Sequence, residues 1–428
     1  MDSLKIYGGR RLKGEVKVSG AKNSCLKLLA ISLMSSGECC LSNVPDILDV
    51  RTMIELLGVL GAQVIPDKVD EGKMRIVPPD HILEQPPESM VRRMRASIQV
   101  LGPVLAKYKE IHIPLPGGCP IGPRPIDLHV RGLAAMGANF VEEHGYIIGR
   151  AEKLYGADIH LDFPSVGATE NIMAAATLAH GTTIIRNAAR EPEIVDQQEF
   201  LKKMGAQITG AGTDTIKVNG VESLGPADHS VMPDRIEAGT YMLAAAITKG
   251  DITVRGVVPE HMEALASKLT EAGVVVLTDG DMMRVIMNDK PQAISVRSMP
   301  YPGFPTDLHA PISAFMSISR GTSVITENIF TNRFRYVDEL ARMGARIQVE
   351  GRAAVIRGVD ELTGARVTAP DLRAGAALVL AGLVARGETI VDGAEHIARG
   401  YDDIINKLRS VGAAVNMEQE LLAASAGE

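Results

Sequence analysis

The sequence predicts an α/β protein of two domains, each assembled from three repeated α/β units. Three observations carry this expectation: a motif that recurs six times along 428 residues, a near-constant spacing between its copies, and a break in the periodicity after the third. The copies are ELLGVLGAQVI (55–65), RGLAAMGANFV (131–141), EFLKKMGAQIT (199–209), SKLTEAGVVVL (267–277), DELARMGARIQ (338–348) and NKLRSVGAAVN (406–416). Their turn glycines, Gly61, Gly137, Gly205, Gly273, Gly344 and Gly412, stand 76, 68, 68, 71 and 68 residues apart. A unit of about 70 residues is too large for one rung of a solenoid and suits a small α/β folding unit.

Within each copy the pattern predicts an amphipathic helix, a glycine free to take positive φ at its C-terminus, and then a strand. Five copies are preceded by a second glycine followed by alternating β-branched residues: SGECCLSNV (36–44), HGTTIIRNA (180–188), KGDITVRGV (249–257), RGTSVITEN (320–328) and RGETIVDGA (386–394). These read as a helix end turning into a strand. The division between domains falls near ESLGPADHSVMPDRI (222–236), where Gly225, Pro226 and Pro233 interrupt the periodicity. The second repeat is the irregular one. Between the strand EIHIPL (110–115) and a helix at Leu128 it carries PLPGGCPIGPRP (114–125), a segment too rich in proline and glycine for helix or interior strand.

Composition is that of an ordinary globular protein, 46% hydrophobic and 23% charged, with a formal net charge of −7 that argues against a nucleic-acid surface spread over the whole molecule. Cys25, Cys39, Cys40 and Cys119 show neither a disulfide framework nor paired zinc-ligand spacing. No signal-peptide pattern and no run of 18 uninterrupted apolar residues is present, so a cytosolic location without membrane insertion and with reduced thiols is expected.

Chemistry is expected where the repeats turn from strand to helix. Cys119 lies in an exposed loop, five residues from Arg124, a placement that favours its thiolate. Arg124, Arg190, Arg333, Arg335 and Arg399 hold related positions in their repeats and could converge on one anion pocket. Lys22 and Asn23 open the apolar helix after Ser19-Gly20-Ala21, where they could hold a phosphate or carboxylate or act as a polar cap; the spacing is not that of a nucleotide P-loop. In PYPGFPTDLHAP (300–311) the rigid loop presents Asp307, either a general base or a cap. SVGATEN (165–171) introduces a helix whose backbone and hydroxyl suit an oligophosphate, and RRMRAS (92–97) offers Arg95 to the same kind of ligand.

Taken together, GAKN (20–23), MRAS (94–97), PGGCPIGPRPIDLH (116–129), SVGAT (165–169), NAAREPEIVD (187–196), FPTD (304–307), NRF (332–334), DLRA (371–374) and RGYD (399–402) resemble the enolpyruvyl transferases, and among them the UDP-N-acetylglucosamine 1-carboxyvinyltransferase family, along nearly the whole chain. The resemblance implies a two-domain inverse α/β barrel, with residues 22–230 inserted into a discontinuous domain of 1–21 plus 231–428. It also implies transfer of the enolpyruvyl group of phosphoenolpyruvate to the 3′-hydroxyl of UDP-N-acetylglucosamine with release of phosphate, the first committed step of peptidoglycan synthesis. The route is addition then elimination through a tetrahedral intermediate, and that inventory calls for no cofactor and no metal.

Position by position, the resemblance makes Cys119 the proton donor and a covalent partner of phosphoenolpyruvate, and Asp307 the base at the sugar hydroxyl. Lys22, Arg124 and Arg399, with Asn23 alongside, become the phosphoenolpyruvate clamp. Arg95, the run Arg124, Pro125, Ile126, Asp127 and Leu128, the turn Ser165-Val166-Gly167, and Ile329 fall to the UDP-sugar side, and Arg333 is expected among the substrate-binding residues. Asp371, Leu372 and Arg373 are placed between the lobes, where the carboxylate orients basic partners. Phe163 and Pro164 stand where some relatives carry a lysine, which leaves backbone contacts from the turn. The 5-enolpyruvylshikimate-3-phosphate synthases share the donor, but that branch lacks the cysteine loop. A catalytically silent UDP-sugar-binding scaffold is the other alternative, opposed by the joint presence of Lys22, Cys119, Asp307 and Arg399. In the two-lobed arrangement the facing cations repel until a diphosphate ligand neutralises them, so closure should follow nucleotide-sugar binding.

Overall fold

The computed structural model describes residues 3–83, 85–115 and 126–418. All six turn glycines lie two residues beyond a helix end and have φ between 90° and 103°, a region that side-chain-bearing residues avoid. Each is followed by a strand: Gln63–Pro66, Asn139–Glu143, Gln207–Thr209, Val275–Asp279, Arg346–Glu350 and Ala414–Glu418. The repeat read from the sequence is therefore a structural repeat.

Each unit builds one small sheet. In the third, Thr182–Arg186 runs parallel to Asp158–His160 and antiparallel to Thr215–Asn219, which in turn pairs antiparallel with Gln207–Thr209. Four other units repeat this four-stranded order, while the second has three strands among the described residues: Glu110–Pro114, Tyr146–Arg150 and Asn139–Glu143. Among the described residues none of the sheets closes on itself as a barrel. The second unit's first strand lacked the glycine signal because Lys109 takes the left-handed conformation there, with φ 70°.

Buried side chains form two separate clusters. One runs from Cys25 to Val231; the other joins Leu4–Val18 to Ile236–Val415. Two N-terminal strands account for the split second cluster. Lys13–Lys17 pairs parallel with Asp251–Arg255, and Ser3–Tyr7 is inserted between Glu388–Asp392 and Ala414–Glu418. Inside the second cluster the central helices are buried on all sides, including the charged Glu237 and Arg373. Arg235–Ile247 and Leu372–Val384 bury nearly every residue, and small residues such as Ala244–Ala246 let them approach closely. The outer, glycine-capped helices bury one face only.

The chain crosses between the clusters twice, and the crossings are bonded to each other. The Ala21 amide donates to the Met232 carbonyl at 2.7 Å and the Asp234 amide to the Ser19 carbonyl at 2.9 Å. The Asp234 carboxylate then serves helix starts on both sides. One oxygen accepts from the Lys22 amide at 3.1 Å, the other from Ile236 and Glu237 at 2.8 and 3.0 Å.

Candidate active site

The Lys22–Ser32 helix starts at this crossing, so the Lys22 side chain enters the space between the clusters. Its Nζ lies 3.2 Å from Oδ2 of Asp49, a residue in the first turn of the Leu48–Val59 helix. Across the gap, Arg399 Nε donates to the other Asp49 oxygen at 2.8 Å. Burial alone would raise the Asp49 carboxyl, but Lys22 and Arg399 outweigh it and hold the group below its ordinary value. Burial pushes the Lys22 ammonium down. The charge of Asp49 opposes that drop, while Arg373 and Arg399 add to it, and Asp307 also acts on the same ammonium.

Asp307 lies in a short 3₁₀ turn, Thr306–Leu308, ahead of the His309–Met316 helix. Its carboxylate is held rather than used as a cap. Arg333 Nη2 donates to Oδ1 at 2.9 Å and Arg373 Nη2 to Oδ2 at 3.0 Å. Both guanidinium groups are buried, whereas Asp307 keeps 26% of its side chain exposed. Arg333 also donates to the Thr306 carbonyl from Nε and Nη2. The sequence reading gave Asp371 the task of orienting basic partners. In the structure its Oδ1 accepts from the Arg373 and Ala374 amides, at 2.9 and 3.0 Å, so it caps the helix that presents Arg373.

A second group gathers around His129. Ile126 precedes the Asp127–Ala135 helix, which carries Asp127, Leu128 and His129, and Ser165 caps the Val166–Ala176 helix by accepting from the Ala168 amide at 3.3 Å. A Cβ on Gly167 would lie 3.0 Å from the His129 ring and 3.1 Å from Gln99 Nε2, so the two helix starts meet through a glycine. Asn171 Nδ2 is 2.9 Å from His129 Nδ1. Burial, with the charge of Arg95 added, lowers the imidazole to about 4 and keeps it neutral. Arg95, Ile126–Leu128 and Ser165–Gly167 thus share one neighbourhood. It is tied to the Lys22 helix by Lys27, whose Nζ lies 3.5 Å from buried Glu170.

Cys119, Arg124 and Pro125, with the rest of 116–125, lie outside the described residues. Asn23 and Ile329 are half-buried. Arg190 and Arg335 are exposed, and Arg190 pairs with Asp214 at 3.1 Å. The facing cations do repel, Arg373 and Arg399 both acting to lower the Lys22 ammonium, but carboxylates lie among them and moderate the effect. Carboxylates of the first cluster bridge to cations of the second: Asp49 to Arg399, and Glu193 to buried Arg235 at 3.0 Å. Neutralisation is partial, because Lys22 and Arg399 share the single carboxylate of Asp49, and Arg333 and Arg373 that of Asp307. Asp49 escaped the sequence reading because an acid in a first helical turn looks like ordinary dipole compensation; Glu193 stands inside the NAAREPEIVD motif, with nothing local to name its partner.

A family model described as EPSP synthase (3-phosphoshikimate 1-carboxyvinyltransferase) matches residues 6–408. The chain is 51% identical over 416 residues to UDP-N-acetylglucosamine 1-carboxyvinyltransferase 1 of Carboxydothermus hydrogenoformans, covering 97% of this chain and 98% of that protein. It is 52% identical over 404 residues to the correspondingly named enzyme 1 of Caldanaerobacter subterraneus subsp. tengcongensis, covering 94% and 96%. Among solved structures, the enolpyruvyl transferase NikO from Streptomyces tendae superposes with a TM-score of 0.86 at 24% identity, covering 97% and 98% of the two chains. EPSP synthase from Acinetobacter baumannii gives 0.75 at 18%, covering 98% and 100%. Those two likenesses speak for the fold.

Proposed function

Since the chain belongs to the enolpyruvyl transferase family described by the EPSP synthase model, and within it to the UDP-N-acetylglucosamine 1-carboxyvinyltransferases, we propose that it transfers the enolpyruvyl group of phosphoenolpyruvate to the 3′-hydroxyl of UDP-N-acetylglucosamine and releases phosphate, the committing step of peptidoglycan synthesis. The observation that carries the mechanistic part is the Asp307 carboxylate fixed between Arg333 and Arg373, where its charge and that of Arg399 both act on Lys22 from the other lobe.

In the first half-reaction Asp307 takes the proton of the sugar hydroxyl. The freed oxygen bonds to C2 of phosphoenolpyruvate, and Cys119 gives a proton to the C3 methylene. In the second, a C3 proton returns to the Cys119 thiolate, the C2–C3 double bond re-forms, and phosphate departs with the electrons of its C–O bond and takes up the proton held on Asp307. Phosphoenolpyruvate brings a carboxylate and a phosphate, for which Lys22, Arg124 and Arg399 supply cations. Lys22 and Arg399 share Asp49, so binding would exchange one carboxylate partner for another. Cys119, Arg124 and Pro125 enter on the resemblance alone.

On the acceptor side, the neighbourhood of Arg95, Ile126–Leu128 and Ser165–Gly167 offers two helix starts to a diphosphate. Ile329 lies on the loop next to Arg333. The working unit is two lobes, 22–230 and 1–21 plus 231–428, a division supported by the two buried clusters. The reading places the protein in the cytoplasm with both substrates; no helix among the described residues is long and apolar enough to cross a membrane.

A phosphate-release assay with phosphoenolpyruvate and each acceptor tests this function. Release is expected with UDP-N-acetylglucosamine and not with shikimate 3-phosphate. The reverse preference would assign the chain to the other branch, and binding without release would make it a scaffold.

A further inference from the structure

Glu327 follows the strand Thr322–Thr326 and is 1% exposed. Its two oxygens serve different loops. Oε1 accepts from the amides of Ile329 and Phe330, at 2.6 and 3.0 Å. Oε2 accepts from the Thr306 hydroxyl at 2.8 Å and faces His309 Nε2 at 4.0 Å. The Thr306 carbonyl is held by Arg333, and the same Arg333 Nη2 reaches Asp307, the next residue. Burying a carboxylate is costly unless hydrogen bonds replace its water. Here the replacements are one hydroxyl from the loop of Asp307 and two amides from the loop of Ile329.

We propose that Glu327 is a positioning residue that joins these two loops, so that a sugar nucleotide seated against the Ile329 loop fixes the place of Asp307. The proposal rests on the reading of Asp307 as the base. Its chemistry is mechanical: no proton moves through Glu327, and the Thr306 hydroxyl is the link. A purely structural Glu327 would support folding without linking acceptor binding to turnover. The link makes the two effects separable, because each oxygen serves one loop.

Thr306→Val keeps the side-chain shape and removes the hydroxyl. Misplacement of a reacting group by about 1 Å can cost on the order of 10²-fold in rate. The expected result for Thr306→Val is a kcat lowered about 10- to 100-fold with the UDP-N-acetylglucosamine KM changed by less than about twofold. Thr306→Ser, which restores the hydroxyl, should recover most of the rate. Glu327→Gln weakens both arms, so kcat should fall and the acceptor KM should rise. Combining it with Thr306→Val should lower kcat no further than the worse single variant, because both break one link.

Melting curves separate folding defects from kinetic ones; if Thr306→Val does not fold, Thr306→Ala against Thr306→Ser makes the same comparison. Parental kcat in Thr306→Val, or rate losses that multiply in the double variant, overturns the proposal while a slow Asp307→Ala leaves the base reading standing. A fast Asp307→Ala removes both.

Discussion

Arg399 and Asp49 lie 350 positions apart in the chain, yet Nε of the one sits 2.8 Å from Oδ1 of the other, with Lys22 on the second oxygen. One carboxylate thus balances a cation from each lobe. Removing it leaves two facing positive charges with no partner in that pair. Asp49→Ala should therefore loosen the contact between lobes, read as a larger radius of gyration by small-angle scattering, and added salt should reverse part of the change by screening. Scattering identical to the parent at low salt would mean the lobes are held by the remaining contacts, Arg235–Glu193 among them.

Asp307→Ala removes the proposed base and leaves Arg333 and Arg373 without their shared acceptor. Loss of a general base costs on the order of 10²–10⁴ in rate. A kcat decrease of that order is expected from steady-state kinetics on a variant that melts cooperatively, with a lowered melting temperature because the two buried guanidiniums lose their carboxylate. Turnover close to the parent's would return Asp307 to a structural role.

Cys119 should be the thiol that reacts. Burial raises the Cys25, Cys39 and Cys40 thiols above their ordinary values, with nearby carboxylates adding to the rise at Cys25 and Cys40. An epoxide phosphonate resembling phosphoenolpyruvate should alkylate Cys119 ahead of all three, as peptide mass spectrometry would report. Equal labelling of the four would remove the case for an activated thiol.

Acid should destabilise the fold through His129. Its folded value, lowered to about 4, is below that of an unfolded histidine, near 6.5. Between those values the unfolded chain binds the proton that the folded chain excludes, so this contribution to stability is present above pH ~6.5 and is lost as the pH falls toward ~4, by about 3 kcal/mol. Buried His309, also pushed well down by burial, steepens the fall. Because burial raises Glu170 to about 8 and Glu237 to about 7, which acts in the opposite direction, the readout is the difference between proteins: denaturant midpoints should fall more between pH 7 and 4 in the parent than in His129→Gln. A parallel decline in parent and variant would place the acid sensitivity elsewhere.

The repeat was legible because glycine at a helix C-terminus is a local requirement, and local requirements survive in single sequences. Gly61 and its five counterparts all have positive φ. Lys22, Arg399 and Asp307 were legible as candidates because each stands where an element begins or ends, Lys22 at a helix start, Asp307 in a 3₁₀ turn and Arg399 just past the helix Ala394–Ala398. Their partners were not. Asp49 looks like a helix-dipole acid, and Glu327 like the polar end of an alternating strand, until residues from distant segments are brought beside them. Arg190 shows the converse. It holds a repeat position like that of the other arginines, but it turns to Asp214 on the surface. Position within a repeat does not decide which way a loop faces.

Product analysis tests the central claim most directly. The parent protein is incubated with phosphoenolpyruvate and UDP-N-acetylglucosamine, and the nucleotide sugar is examined by nuclear magnetic resonance while phosphate is counted. The account expects an enol ether on the 3′-oxygen and one phosphate released for each ether formed, with Asp307→Ala making little of either. An unmodified sugar nucleotide, or an ether formed on shikimate 3-phosphate in its place, would contradict it.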